Sequence, residues 1–400
     1  MQLRSRAKLL GIGAAALAGI PLAVLGPAEA SHAAASPAAK TAHSCAASKP
    51  GFASCKAIVR TDTAQAASIA PHATPSGYGP SSLQSAYNLP SATAGAGRTV
   101  AIVDAYDDPT AEADLGVYRA QYGLPACTTA NGCFKKIDQN GGTSYPRANG
   151  GWAQEISLDL DMVSAICPSC HILLVEAKSS SFANLGAAVN RAAATPGVVA
   201  ISNSYGGSDA SDASYGSYYN HPGIAVTASS GDSGYGASYP ASSHYVTAVG
   251  GTSLKSASTT RGWTETAWSG AGSGCSAYNA ALSAAASFGT GCANRAEADV
   301  SAVADPSTGV AVYDSTAYQG LSGWLVFGGT SVSSPVIASV FALAGNTGSI
   351  DNNYPYTHAS SLWDVTSGSN GSCPTTQWCT ARTGWDGPTG LGTPNGVGAF

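Results

Sequence analysis

From Tyr78 onward, short β-branched runs alternate with helical stretches, and that alternation confines the chain to few architectures. The runs cover residues 99–103, 172–175, 198–201, 224–228, 245–249 and 310–313, and helical stretches fill 152–166 and 182–194. Successive strands separated by helices pair in parallel, and the helices cover the sheet. The pattern predicts an α/β domain over residues 76–400, with a largely parallel central sheet and helices on both faces. No internal repeat divides it.

The N-terminus differs. Arg4, Arg6 and Lys8 precede an apolar stretch from Leu9 to about Leu25, and Ala28-Glu29-Ala30 follows. A basic region, a short hydrophobic region and a small-x-small site together predict a signal peptide over 1–30. Glycines and prolines interrupt the stretch, and it is short for a membrane span. No later segment is long and apolar enough to cross a bilayer, so the expectation is a secreted, extracellular monomer free of the membrane once the signal is removed. Residues 31–75 are rich in Ala, Ser and Pro with little hydrophobic periodicity. They read as a short pro-segment or spacer, with little order apart from a Cys45–Cys55 loop.

The ten cysteines fall in close pairs: Cys45/Cys55, Cys127/Cys133, Cys167/Cys170, Cys275/Cys292 and Cys373/Cys379. In an exported chain an even count suggests disulfides, and the five local pairings are the simplest of many connectivities. Cys167-Pro-Ser-Cys170 also has the spacing of a zinc or redox motif, but no second such motif or spaced His pair accompanies it. Only 10% of residues are charged and the formal net charge is −5, which excludes the basic patch that nucleic-acid binding needs. Few ionised pairs also means less stability lost on acidification.

Residues 328–335 read Gly-Gly-Thr-Ser-Val-Ser-Ser-Pro and run directly into an apolar stretch, 336–343. A small-residue turn thus delivers Ser331 to the first turn of a buried helix, and Pro335 is expected in that same turn. Ser331 there is either a nucleophile beside backbone N–H groups and the positive end of the helix dipole, or an ordinary cap. A serine nucleophile needs a base. Of the seven histidines, His32, His43 and His72 lie in the leader or spacer, and His171, His221, His244 and His358 occupy strand-start or turn contexts. Asp104 sits at a strand end where a subtilisin-like aspartate would be, without a matching histidine. Carboxylates fill the gap better. Glu155 and Asp159 are four residues apart beside an apolar stripe of Ile156, Leu160 and Val163, so both project from one helix face. No Lys or Arg occurs between Arg147 and Lys178. Two like charges so placed need a shared proton or a task. Asp232 follows the run 224–228, at the strand end where ligands bind in parallel sheets. Its Gly-Asp-Ser-Gly context is similar to a chymotrypsin-like nucleophile, but the all-β pattern is missing. Gly250-Gly251-Thr252-Ser253 lacks the proline and apolar helix that follow Ser331.

Taken in order, these residues resemble the sedolisin family, the serine-carboxyl peptidases of subtilisin-like fold. The resemblance runs from Tyr78 to the C-terminus through 83–90 (LQSAYNLP), Glu155…Asp159, 201–206 (ISNSYG), 230–234, 245–252, 298–306, 328–335 and 384–394 (GWDGPTGLGTP). It implies an endopeptidase acting on proteins or peptides, with Ser331 as nucleophile, Glu155 as general base and acid, Asp159 as its partner and Asp232 as oxyanion donor. Glu155 must be ionised and Asp232 protonated, which implies work in acid, because free carboxyl groups titrate near pH ~4. The resemblance also implies one Ca²⁺, held by the side chains of Asp364 and Asp386 and by carbonyls of Val365, Arg382 and Gly384. Arg382 replaces the usual glycine there, but it would offer a carbonyl. Two departures stand out: relatives carry a pro-domain of well over a hundred residues, and many have tryptophan where this chain has Tyr205. Two other readings are a catalytically silent binding or scaffold protein on this fold and an esterase, although no Gly-x-Ser-x-Gly elbow is present.

Overall fold

The computed structural model describes residues 39–63, 75–346 and 351–400. The expected signal peptide lies outside them. Three short strands come first: β1 (Thr41–His43), β2 (Ser54–Cys55) and β3 (Ile58–Arg60). Helix α1 (Pro80–Ala86) leads into an alternating run. It comprises β4 (Thr99–Ala105), α2 (Ala111–Gln121), β5 (Phe134–Asp138), α3 (Gly150–Ile166), β6 (His171–Ala177), α4 (Phe182–Ala193) and β7 (Val198–Asn203). Strand β8 (Tyr205–Ser208), the short helix α5 (Asp212–Tyr215), β9 (Ala225–Ser229), β10 (Ser238–Tyr239), β11 (Thr247–Ser256) and β12 (Trp263–Ala267) come next. A small hairpin of β13 (Gly274–Cys275) and β14 (Ala296–Glu297) precedes β15 (Val300–Val303), β16 (Val310–Tyr318), β17 (Leu321–Gly328) and α6 (Thr330–Ala344).

The central sheet has the order β12-β11-β9-β7-β4-β6-β5, with β15 beside β11. Every pairing in it is parallel except β11 with β12. Side chains alternate across it as the two-residue period of a strand requires. Val100, Ile102, Ile172 and Leu174 share one core with Ile156 and Leu160 of α3. Ala101, Val103, Leu173 and Val175 share the other with Leu185 and Val189 of α4. The α/β class with both faces covered is therefore as the sequence predicts.

Residues 151–166 of α3 and 330–343 of α6 are buried throughout. A helix enclosed on all sides is apolar nearly all round, which accounts for the run after Pro335. These two helices pack on each other, and α6 also lies along β7, β9 and β15.

Two expectations change. The 310–313 run is not in the central sheet: β16 and β17 form a hairpin in a separate antiparallel sheet of order β1-β3-β17-β16. Residues 39–63, read from the sequence as little ordered, supply three strands to two sheets. Strands of two or three residues are too short for any periodicity to register. Strand β5 and helix α2 also escaped the sequence reading. All five local disulfides form. Among the described residues no helix is long and apolar enough to cross a membrane.

Candidate active site

The last residues of β17 hand the chain to Gly329, whose φ of 93° lies in the region that favours glycine. A methyl group there would also collide with the backbone carbonyl of Lys56. Helix α6 starts at Thr330, so Ser331 is its second residue, where a backbone N–H has no intrahelical acceptor. Pro335 is the sixth residue and not in the first turn as expected. It leaves the Ser331 carbonyl without the usual i→i−4 donor. Ser204 Oγ approaches that carbonyl at 3.4 Å instead.

Helix α3 begins at an Asn149 cap, whose side chain accepts from Trp152 N at 3.2 Å. One turn separates Glu155 from Asp159, and α3–α6 packing turns that face toward Ser331. Ser204 follows β7, Asp104 is the last residue but one of β4 and Asp232 follows β9. The groups thus gather at the carboxyl ends of central strands, where parallel sheets build their sites. Ser331, Glu155, Asp159 and Asp104 are all fully buried.

Both carboxylate oxygens of Asp159 accept from Ser204 Oγ at 2.8 Å. Glu155 Oε2 accepts from the Ala57 N–H at 2.9 Å, while its Oε1 has no hydrogen-bond partner. Ser331 Oγ donates to the Ser204 carbonyl at 3.1 Å. Its hydroxyl is nevertheless close enough to Glu155 to favour the carboxylate. We take the bond to Ser204 as the resting contact, because its geometry is complete.

Burial dominates the electrostatics. It raises Glu155 well above the carboxylate range, and the Asp104 charge adds to this, against the opposing Ser331 hydroxyl and Ala57 N–H. Asp159 is raised likewise by burial, then by the charges of Asp104 and Glu155, against the opposing Ser204 hydroxyl. Asp104, with neither oxygen hydrogen-bonded, is pushed up to about 8 by burial. Three carboxyl groups therefore hold fewer than three charges at neutral pH, as expected of interacting sites. Sequence reading set Asp104 aside for want of a histidine. Its signal, an Asp closing an Ala-Ile-Val run, was present but pointed to another chemistry.

Asp232 is held against Thr330, the residue before Ser331. Its Oδ1 accepts from Thr330 N at 2.7 Å and Thr330 Oγ1 at 2.9 Å. The residue is half-buried, yet Oδ2 is shielded from solvent and unpartnered. We therefore treat the carboxyl itself as buried. That burial raises it, and the Lys56 charge and the Thr330 donors oppose the rise.

The five residues expected at a calcium site also come together. Gly384 N donates to Asp364 Oδ2 at 2.9 Å, and Arg382 N to Asp386 Oδ2 at 3.1 Å. Burial pushes Asp386 up to about 7, and the Asp364 charge contributes. Among the described residues no group of three or more His, Cys, Asp or Glu side chains is set to hold a metal ion. The donors would be two mutually repelling carboxylates and backbone carbonyls, an all-oxygen set that suits a hard cation.

A doubly covered parallel sheet, a serine opening a buried helix, and carboxyl groups where a histidine would be expected define the sedolisin class. Similarity to known proteins supports membership of that family. Kumamolisin from Bacillus sp. (strain MN-32) is 29% identical over 369 residues, covering 81% of this chain and 63% of the Bacillus protein. Tripeptidyl-peptidase sed1 of Aspergillus fumigatus is 37% identical over 109 residues, 25% of this chain and 15% of that protein. This chain thus spans less than two thirds of either relative's length. The structure of Pseudomonas sedolisin, a serine-carboxyl proteinase complexed with two molecules of pseudo-iodotyrostatin, superposes with a TM-score of 0.67. It is 26% identical and covers 81% of this chain and 96% of that one. No family model matches.

Proposed function

We propose that this protein is a secreted serine-carboxyl endopeptidase that cuts proteins and peptides in acid. The observation that carries the reading is the burial of Ser331 at the start of α6, with its hydroxyl beside Glu155 and Asp232 held by the preceding Thr330 with one oxygen unpartnered. Ser331 Oγ attacks the peptide carbonyl and Glu155 takes its proton. Asp159, held by Ser204, keeps Glu155 oriented and shares its proton. The oxyanion receives the Ser331 N–H and a protonated Asp232, which burial favours. Glu155 then protonates the leaving amine, and water releases the acyl group.

Five disulfides are compatible with an oxidising compartment, and the expected signal peptide would take the chain there. The decisive experiment incubates the secreted protein with a denatured protein between pH 3 and 8. Cleavage in acid that Ser331→Ala abolishes is expected. Cleavage by neither chain would favour a silent scaffold, and cleavage by both would move the nucleophile elsewhere. One Ca²⁺ at Asp364 and Asp386, with carbonyls of Val365, Arg382 and Gly384, would screen the repulsion between the two carboxylates. Chelation by EGTA should then lower the melting temperature, with recovery on adding Ca²⁺ but not Mg²⁺; an unchanged melting curve removes the ion from the reading.

A further inference from the structure

Glu297 ends β14, is fully buried, and has no part in the reaction set out above. Its Oε1 accepts from the Ser238 N–H at 2.7 Å, while its Oε2 is shielded from solvent and has no hydrogen-bond partner. Arg295 is spent elsewhere. Its guanidinium donates to both carboxylate oxygens of Asp299 and to the carbonyls of Ser243, Ala296 and Val246. Among the described residues no cation forms an ion pair with Glu297. Burial raises its carboxyl well above the ordinary range against the Ser238 N–H and the Arg295 charge, and the charges of Asp209 and Asp299 add to the rise. A buried acceptor left without a donor is costly, and this one stands next to the cleft.

Ser238 is the link. It lies in β10, which pairs antiparallel with β8, and its hydroxyl donates to the Gly207 carbonyl at 3.0 Å. A methyl group on Gly206 would sit 2.5 Å from that hydroxyl, and one on Gly231, the residue before Asp232, would sit 3.9 Å from the Ser238 Cβ. Gly206, Gly231 and Ser238 thus meet at one place, where only a hydroxymethyl group projects. Lys56 shows what reaches it: its Cε is 3.3 Å from the same point over Gly206. The Lys56 N–H and the Ser331 hydroxyl share the Ser204 carbonyl, each at 3.1 Å, and the next N–H, of Ala57, donates to Glu155 Oε2 at 2.9 Å. A substrate chain lying the same way would be cut after the residue in the Lys56 position. Its side chain there would pass Gly206 toward Ser238 and Glu297.

We propose that Glu297 makes this peptidase prefer a basic residue, lysine or arginine, on the acyl side of the bond it cuts. This rests on the peptidase reading above and names the class of substrate. The long apolar stem of such a side chain passes the glycine backbone, and its cation supplies the donor that Oε2 lacks. The cation also provides the counter-charge that Arg295, bound to Asp299, does not. Glu297 releases its proton to solvent as the side chain enters. A glutamine could donate to Oε2 but brings no charge, and a leucine leaves Oε2 unpaired. Lys56 is fixed by the pairings of β2 and β3 and by the Cys45–Cys55 bond, whereas a free peptide can seat more deeply.

The test gives the full secreted chain, in acid, peptides that differ only in the residue before the cut: lysine, arginine, Nε-acetyl-lysine, glutamine or leucine. The lysine and arginine peptides should exceed the other three in kcat/KM by about 10- to 100-fold. Glu297→Gln keeps an acceptor for the Ser238 N–H and should lose most of that preference. Glu297→Asp, with its carboxyl drawn back, should keep an intermediate part. The acetyl-lysine comparison needs no variant: equal rates for lysine and acetyl-lysine in the wild-type chain overturn the inference. A preference undiminished in Glu297→Gln, or a wild-type chain that favours glutamine or leucine, would do the same and leave the peptidase reading standing. A chain that cuts neither these peptides nor a denatured protein would overturn both.

Discussion

Asp232 shows how one residue's surroundings choose its protonation state. Thr330 occupies Oδ1 with two donors and leaves Oδ2 shielded and unpaired, so a proton on Oδ2 has an acceptor only when an oxyanion forms. Replacing Asp232 by Asn keeps an acceptor for Thr330 and supplies a donor that does not titrate. The sign follows. Wild-type activity should fall on the alkaline side as Asp232 ionises above its raised value, while Asp232→Asn, weaker at the optimum by about 10- to 1000-fold, should lose that alkaline limb. Rates across pH 3–8 for both chains check this, and an unchanged bell in the variant would remove Asp232 from the oxyanion. The acid limb belongs to Glu155 and its neighbours and should remain. As candidates, Ser331, Glu155, Asp159 and Asp232 can all be picked out in the sequence, because a turn, a four-residue spacing and a strand end are local signals. Ser204 cannot: its contact with Asp159 depends on how β7 meets α3, which no local pattern records.

Elements read well where they were long and periodic. The runs that became β4, β6, β7 and β9, and the helices α3 and α4, matched their expected places within a few residues. The N-terminal segment failed that test because its strands gain their meaning from partners far along the chain, Cys55 on Tyr205 and Val59 on Phe327. The same distance makes the segment dependent on its anchors. Replacing Cys45 and Cys55 by serine removes a cross-link that limits the freedom of the loose arm. The double variant should therefore melt a few degrees below wild type, and an unchanged melting temperature would mean that the strand pairings alone hold the segment.

Across the whole molecule, the unusual quantity is the number of carboxyl groups whose burial outweighs any cation near them. Burial pushes Asp104, Glu176 and Asp314 up to about 8, Asp386 to about 7 and Asp108 to about 6. It also raises Glu155, Asp159, Asp161 and Glu297 well above the ordinary range. Few groups run the other way. Asp62 is lowered to about 2 by its bond to Arg60, and Asp138 is lowered by backbone N–H groups of Gly142, Asn140 and Ser144 against the effect of burial. A carboxyl whose folded value exceeds its unfolded value makes the native state bind protons more tightly. Its stabilisation is complete below the unfolded value, near pH ~4, and is lost as pH rises toward the folded one. These directions predict a protein more stable in acid than at neutrality, the reverse of ordinary acid denaturation. The Ser331→Ala chain, which cannot digest itself, should therefore melt at a lower temperature at pH 8 than at pH 4. Asp314 gives a single-site check away from the proposed chemistry. Its Oδ1 accepts from Thr316 N at 2.8 Å, its Oδ2 is buried and unpartnered, and the charges of Asp108 and Asp114 add to the effect of burial. Asp314→Asn keeps the Thr316 bond and cannot ionise, so the fall in melting temperature between pH 4 and 8 should shrink. The protected stability is on the order of a few kcal/mol. A melting temperature that rises from pH 4 to 8, or an equal fall in both chains, would show that these carboxyls do not govern the fold's pH response.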